Sequence, residues 1–178
     1  MSCNSCNVLI RIQSGKMNYT IQEIWGFLKE VEDPEIPVLN VVEMGIVRDV
    51  QIEDNKVIVL ITPTYSGCPA MHAIEEDVRE MLVEMHIENF DVKTILSPAW
   101  TTDWMTEEAR VKLEEYGIAP PQKGSADKNL LMGKLRDVRC PRCKSSNTSM
   151  VSQFGSTACK SLYKCEDCKE PFDYFKCI

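Results

Sequence analysis

Residues 45–62, GIVRDVQIEDNKVIVLIT, alternate apolar and polar side chains as far as Ile52, break at EDNK, and resume as a β-branched, largely apolar run to Thr62. A period of two places one face of a strand against a core, and the polar break suits a tight turn, so the stretch predicts an antiparallel hairpin. Upstream, Thr20 and Glu23 have the spacing of a capping box, and Ile21, Ile24, Trp25 and Leu28 recur at helical intervals up to Val31, which predicts a first helix. Downstream, Ile74, Val78, Met81, Leu82 and Met85 mark one helical face between Ala70 and about Ile87, with glutamates on another. FDVKTIL, residues 90–96, predicts a third strand, and residues 106–116 a short helix that ends at Gly117. The order α-β-β-α-β-α makes an α+β domain, a small sheet with helices packed on it.

Charge divides the chain. Residues 1–121 carry 9 basic and 21 acidic side chains, net −12, and residues 122–178 carry 11 and 6, net +5, which together give the −7 of the whole. Between the halves runs PPQKGSADKN, residues 120–129, polar and without apolar period, as a solvated linker is. The predicted organisation is an N-terminal tail (1–18), an α+β domain (19–119), a linker (120–137) and a small C-terminal module (138–178). A pI near 5.0 gives no general attraction to nucleic acid or anionic lipid. No run of about eighteen apolar residues predicts a membrane span and no signal peptide is recognisable, so the expected location is the cytoplasm. Opposite charges on the two modules allow a homodimer.

Nine cysteines, largely in C-x-x-C pairs, point in a reducing compartment to metal or redox chemistry. CPRC (Cys140, Cys143) and CEDC (Cys165, Cys168) are two knuckles with 21 residues between them. Four thiolates at that spacing fit one tetrahedral zinc ion and leave no open position for a substrate; an iron-sulfur cluster or a dithiol redox pair are the alternatives. A 41-residue module has too little core to fold without the ion, so the role is structural. Cys159 also falls within ligand spacing of Cys143, but it and Cys177 read more simply as small buried side chains. Cys3 and Cys6 form a third pair in the tail.

TYSGCPAM, residues 64–71, sets Cys68 apart from all of these. With Pro69 in the first helical turn and Cys68 at the cap, the sulfur stands beside unpaired N–H groups at the positive end of a helix, where a thiolate is favoured. Two readings stand on the residues alone: a reactive thiolate, or a small core residue sealing a strand-to-helix turn. His72, one turn away, reads as ordinary surface, and neither it nor His86 has the Glu-x-x-His spacing of a di-iron oxygenase.

VEDPEIPVLNVVEMGIVRDV (31–50), TPTYSGCPAM (62–71) and SPAWTTDWMTEEA (97–109) resemble the small domain of bacterial and eukaryotic iron-sulfur maturation factors. With FGSTACKSLYKCEDCKEPFDYFKC (154–177) added, the chain resembles the PaaD family, the D components of bacterial phenylacetyl-CoA epoxidase systems. The resemblance implies an accessory or maturation protein of the ring 1,2-epoxidase of aerobic phenylacetate degradation, not itself catalytic, with a C-terminal zinc ribbon. It places a cluster-handling thiol at Cys68 and family signature positions at Asp33, Pro34, Glu35, Glu43, Thr62, Thr64, Trp100, Asp103 and Trp104. It further implies a transient iron-sulfur cluster or iron as cargo, and epoxidase subunits as partners, above all the iron-sulfur flavin reductase. A scaffold that holds oxygenase components together without cluster chemistry is the competing reading.

Overall fold

The computed structural model describes residues 19–121 and 138–176; Cys3, Cys6, Cys177 and the linker from residue 122 lie outside them. Helix α1 (Ile21–Leu28) begins at the capping box, where Glu23 N–H donates to Thr20 Oγ1 at 3.3 Å and Thr20 N–H to Glu23 Oε2 at 2.8 Å. The helix stops short of Val31, because the next residues form a hairpin that the local periodicity does not announce. Strands β1 (Glu32–Asp33) and β2 (Ile36–Asn40) pair antiparallel. Asp33 makes their turn: its Oδ1 accepts from the N–H groups of Glu35 (2.9 Å) and Ile36 (2.8 Å), the local side-chain bonding at which aspartate excels.

The sequence hairpin forms as β3 (Val47–Glu53) and β4 (Lys56–Ile61), with Glu53 opposite Lys56. Asp54 and Asn55 take positive φ values of 46° and 61°, the turn geometry that matches the twist of the strands. Helix α2 (Ala70–Glu84) then crosses over the sheet, so that β5 (Phe90–Thr94) returns parallel to β4. Ile74, Val78 and Leu82 of α2 are buried, as are Val57, Val59 and Ile61 of β4. A 3-10 turn at Thr102–Trp104 leads into α3 (Glu107–Tyr116), capped by Thr106 and ended by Gly117 at φ 94°. Gly45, at φ 69°, allows the 3-10 turn to pack closely, because a Cβ there would stand 2.8 Å from the Cβ of Trp104.

The C-terminal module is built of β7 (Thr148–Ser152), β8 (Lys160–Cys165) and β9 (Pro171–Phe175), a three-stranded antiparallel ribbon. Its sheet has a fourth strand from before the linker: β6 (Ile118–Ala119) pairs parallel with β9, Ile118 opposite Asp173 and Ala119 opposite Tyr174. The core is shared too. Cys159 and Phe175 of the ribbon lie in the same apolar cluster as Ile24, Val59 and Leu113, and Phe175 meets Trp100 edge-on at 6.1 Å. Because the modules are packed together, residues far apart in sequence meet at a seam between them. No helix among the described residues is long and apolar enough to cross a membrane.

Candidate functional site

Among the described residues, cysteines stand at two places. In the ribbon, Cys140, Cys143, Cys165 and Cys168 bring their sulfurs within 4.8 Å of one another. Cys140 and Cys168 lie 3.7 Å apart and Cys143 and Cys165 3.5 Å. A tetrahedron with metal–sulfur bonds of about 2.3 Å has sulfur–sulfur edges of about 3.8 Å, so the quartet has the dimensions of an S4 metal site. The knuckles are fixed by backbone: Cys140 N–H donates to Ser145 O at 2.9 Å, and Lys144 N–H to Cys140 O at 2.9 Å. The residue after each knuckle, Lys144 and Lys169, is left-handed, at φ 62° and 67°. A hydrogen bond from the Cys168 N–H, 3.5 Å from Cys165 Sγ, is the main force holding the Cys165 thiol down at about 7, toward the thiolate that a metal requires. Cys159 lies outside this quartet.

The second cluster is at the seam. Cys68 stands one residue ahead of the position expected for it, since Pro69 occupies the cap of α2 and no side chain caps that helix. The Cys68 N–H donates to Tyr65 O at 3.2 Å, and its carbonyl accepts from Met71 N at 3.3 Å. The thiol is half-buried and free. It shares a cavity of about 10 Å3 with Asp33, Glu35, Thr64 and Cys159, floored by Ile36, Met44, Ile46, Ile74 and Phe175. Cys159 is buried and donates from Sγ to Glu35 Oε2 at 3.4 Å, with Thr157 Oγ1 at 3.0 Å. Burial, above all, pushes its thiol up to about 12, with Glu35 adding to the rise. Tyr65 also rises to about 12, mainly by burial and then through Cys68, to which its hydroxyl is hydrogen-bonded; Glu35 and Cys159 contribute to its field. The buried Lys160 ammonium donates to Glu35 O at 3.3 Å and to Ser156 Oγ at 3.4 Å. Burial holds Asp33 above the ordinary carboxylate range, against the pull of the Glu35 and Ile36 N–H groups and of Lys160.

The remaining signature residues are placed elsewhere or serve the frame. Glu43 is held by Lys112 at 2.7 and 2.9 Å and does not line the cavity. Asp103 sits in the 3-10 turn, its N–H bonded to Thr101 Oγ1. Thr62 is buried, and its Oγ1 finds no hydrogen-bond partner among the described residues. Trp100 is buried and donates from Nε1 to Met44 O at 3.0 Å, while Trp104 carries the Arg48 guanidinium 3.4 Å above its ring. Nothing local in the sequence marks Tyr65, Thr157 or Lys160 as parts of the seam. The usable signal is cysteine arithmetic: with the knuckles assigned, Cys68 and Cys159 are the cysteines left among the described residues, and both line the one cavity.

An α+β unit with a free thiol at a strand-to-helix turn, joined to a four-cysteine ribbon, defines a class in which an iron-sulfur assembly domain is fused to a zinc ribbon. Residues 21–95 match the family described as iron-sulfur cluster assembly protein, and residues 124–176 the PaaD zinc beta ribbon domain. Over 158 residues the chain is 49% identical to an Escherichia coli protein named as the D component of 1,2-phenylacetyl-CoA epoxidase, covering 89% of this chain and 93% of that one. The chain belongs to the PaaD family. It is also 33% identical over 94 residues to the Fe-S protein maturation auxiliary factor YitW of Bacillus subtilis, covering 52% of this chain and 91% of the relative. A conserved hypothetical protein of Thermotoga maritima, of known structure, has 35% identity and a TM-score of 0.48, covering 57% of this chain and 98% of that one.

Proposed function

We propose that this chain is an accessory protein of a phenylacetyl-CoA epoxidase system, and that it loads iron or an iron-sulfur cluster into a client component, the iron-sulfur flavin reductase first, through the thiol of Cys68. The observation that carries this reading is the placement of Cys68: a free, half-buried thiol within the matched assembly region, lining one cavity with Asp33 and Glu35. Half-exposure lets a client thiol or an incoming ion reach the sulfur, and thiolate chemistry is what iron and its clusters bind. Asp33, Glu35 and Thr64 shape the cavity around it. The quartet Cys140, Cys143, Cys165 and Cys168 holds a structural zinc ion, which completes the ribbon and thereby one wall of the seam. The protein performs no turnover of its own and acts in the cytoplasm, where its thiols stay reduced.

The test is the metal content of the client. Reductase produced beside Cys68→Ser should contain less iron and sulfide than reductase produced beside the unaltered chain, and epoxidation should return when preloaded reductase is supplied. Full loading beside both Cys68→Ser and Cys68→Ala would refute the assignment. One finding favours a second reading, a scaffold: the Escherichia coli relative is named as part of the epoxidase itself. A stable, stoichiometric complex with the oxygenase components in active enzyme, together with full client loading by the Cys68 variants, would establish the scaffold instead.

A further inference from the structure

The loop that carries Cys68 also brings it a hydrogen-bond donor. Residues 65–68 close a turn in which the Cys68 N–H donates to Tyr65 O at 3.2 Å and the third residue, Gly67, stands at φ 85°. That is type II geometry, which favours glycine at its third position and brings the first and fourth residues within about 7 Å of each other. Cys68 then leads into α2, where its carbonyl accepts from Met71 N at 3.3 Å, so its backbone is held on both sides. Its side chain is hydrogen-bonded to the Tyr65 hydroxyl, and the two side chains pack half-buried on the same apolar core. Burial first, and then Cys68 itself, push the phenol up to about 12; it therefore keeps its proton, and its oxygen is the donor when the thiol ionises. The end of α2, which the sequence suggests as the support of a thiolate, is capped one residue later by Pro69. Tyr65 offers a donor in its place.

We propose that Tyr65 is the positioning residue of Cys68: its hydroxyl donates to the sulfur, favours the thiolate over the thiol, and holds that thiolate in place at the strand-to-helix turn. This rests on the maturation reading and names the group that makes its thiol ready to bind. A hydrogen bond to the charged form of a group favours that form, and the thiolate is the form that attacks and that ligates. On ionisation the Cys68 proton passes to solvent and Tyr65 retains its own. Gly67 has a part through the backbone alone, because its positive φ sets the turn that brings tyrosine and cysteine together.

The experiment is a double-variant cycle on the full, zinc-loaded chain, read by the rate at which iodoacetamide alkylates Cys68 near neutral pH, with mass analysis of the Cys68 peptide. Tyr65→Phe keeps the ring and its packing and removes the oxygen alone. It should leave thermal unfolding unchanged and slow alkylation about threefold, because roughly tenfold less thiolate is partly offset by the greater nucleophilicity of a more basic sulfur. Gly67→Ala keeps the hydroxyl; its Cβ meets no neighbour, but alanine is strained at φ 85°, so the turn shifts and alkylation should slow comparably. Since both changes act through one hydrogen bond, the double variant should be no slower than the slower single variant, whereas independent structural damage multiplies. A Tyr65→Phe chain alkylated at the parental rate would overturn the proposal, and so would a double variant whose loss is the product of the two single losses. Client iron separates this from the reading beneath it: reductase produced beside Tyr65→Phe should contain less iron than reductase produced beside the unaltered chain. Full loading beside Cys68→Ser and Cys68→Ala removes the maturation reading whatever the alkylation rates, and a parental alkylation rate in Tyr65→Phe removes the positioning role whatever the loading.

Discussion

The ribbon quartet and the seam are both built of cysteine, and they differ in almost everything that decides what a thiol does. The quartet gathers four sulfurs at tetrahedral spacing on two short knuckles close in sequence, with backbone N–H groups oriented toward them. The seam has two, one half-buried and one buried, on modules joined by long-range packing, with the Glu35 carboxylate on the buried one and a buried lysine on the Glu35 backbone. A closed set of four ligands retains its ion and contributes folding energy. An open set with a solvent-reachable member can exchange. Under the proposed function the resident ion belongs to the quartet and the cargo to Cys68, and the second depends on the first, because the ribbon that the ion would complete forms one wall of the Cys68 cavity.

The largest effect should come from breaking the quartet. Cys165→Ser, or removal of the metal by a chelator, should abolish the single zinc per chain and unfold the ribbon, since structural zinc contributes roughly 10–16 kcal/mol to such modules. Loss of the ribbon should also loosen the first domain, because β6 loses its pairing partner and Trp100 its contact with Phe175. Zinc analysis and circular dichroism read both consequences; a first domain with unchanged thermal stability would show that the seam does not couple them. Next is Trp100→Ala, which removes a buried indole, its hydrogen bond to Met44 O and the Phe175 contact, and should cost about 3–5 kcal/mol in denaturant unfolding.

Asp33 sharpens the contrast by separating shape from charge. Asp33→Ala strands two N–H groups that the side chain now satisfies and should cost about 1–3 kcal/mol. Asp33→Asn keeps the acceptor and should cost little near neutral pH. Because burial raises Asp33 in the folded state, its contribution to stability is fully present below the unfolded value and is lost as pH rises through the folded one. The asparagine variant should therefore show a flatter fall in stability across the mildly acidic range. The smallest effect belongs to Lys169→Gly. It relieves a left-handed lysine in the second knuckle and should be neutral or stabilising by up to about 1 kcal/mol in thermal unfolding of the zinc-loaded protein.

Much of the frame is legible because its causes are local. The Thr20–Glu23 box, the Asp54–Asn55 turn, the Gly117 cap and both C-x-x-C knuckles each lie within a few residues of the structure they specify. The β1–β2 hairpin is harder to read, since β1 has two residues and rests on one aspartate. The resemblance names Cys68, Asp33, Glu35 and Thr64 at the seam, but the ribbon's share is not legible: Glu35 and Cys159 are joined by packing across two modules, and no periodicity or spacing records a contact of that range. Cys159 accordingly reads as spare ligand or filler until the fold shows its neighbour. The position of Cys68 differs from expectation by one residue, because proline takes the cap itself.

Thiol mapping of the native, zinc-loaded chain tests the division of labour between the two clusters most directly. Brief alkylation near neutral pH, followed by mass analysis of the cysteine-bearing peptides, should label Cys68 first among the described cysteines. Cys159, buried and pushed up to about 12, should lag, and Cys140, Cys143, Cys165 and Cys168 should remain protected until a chelator is added. Labelling of the quartet at the rate of Cys68 while zinc is present, or protection of Cys68 alongside it, would contradict the account.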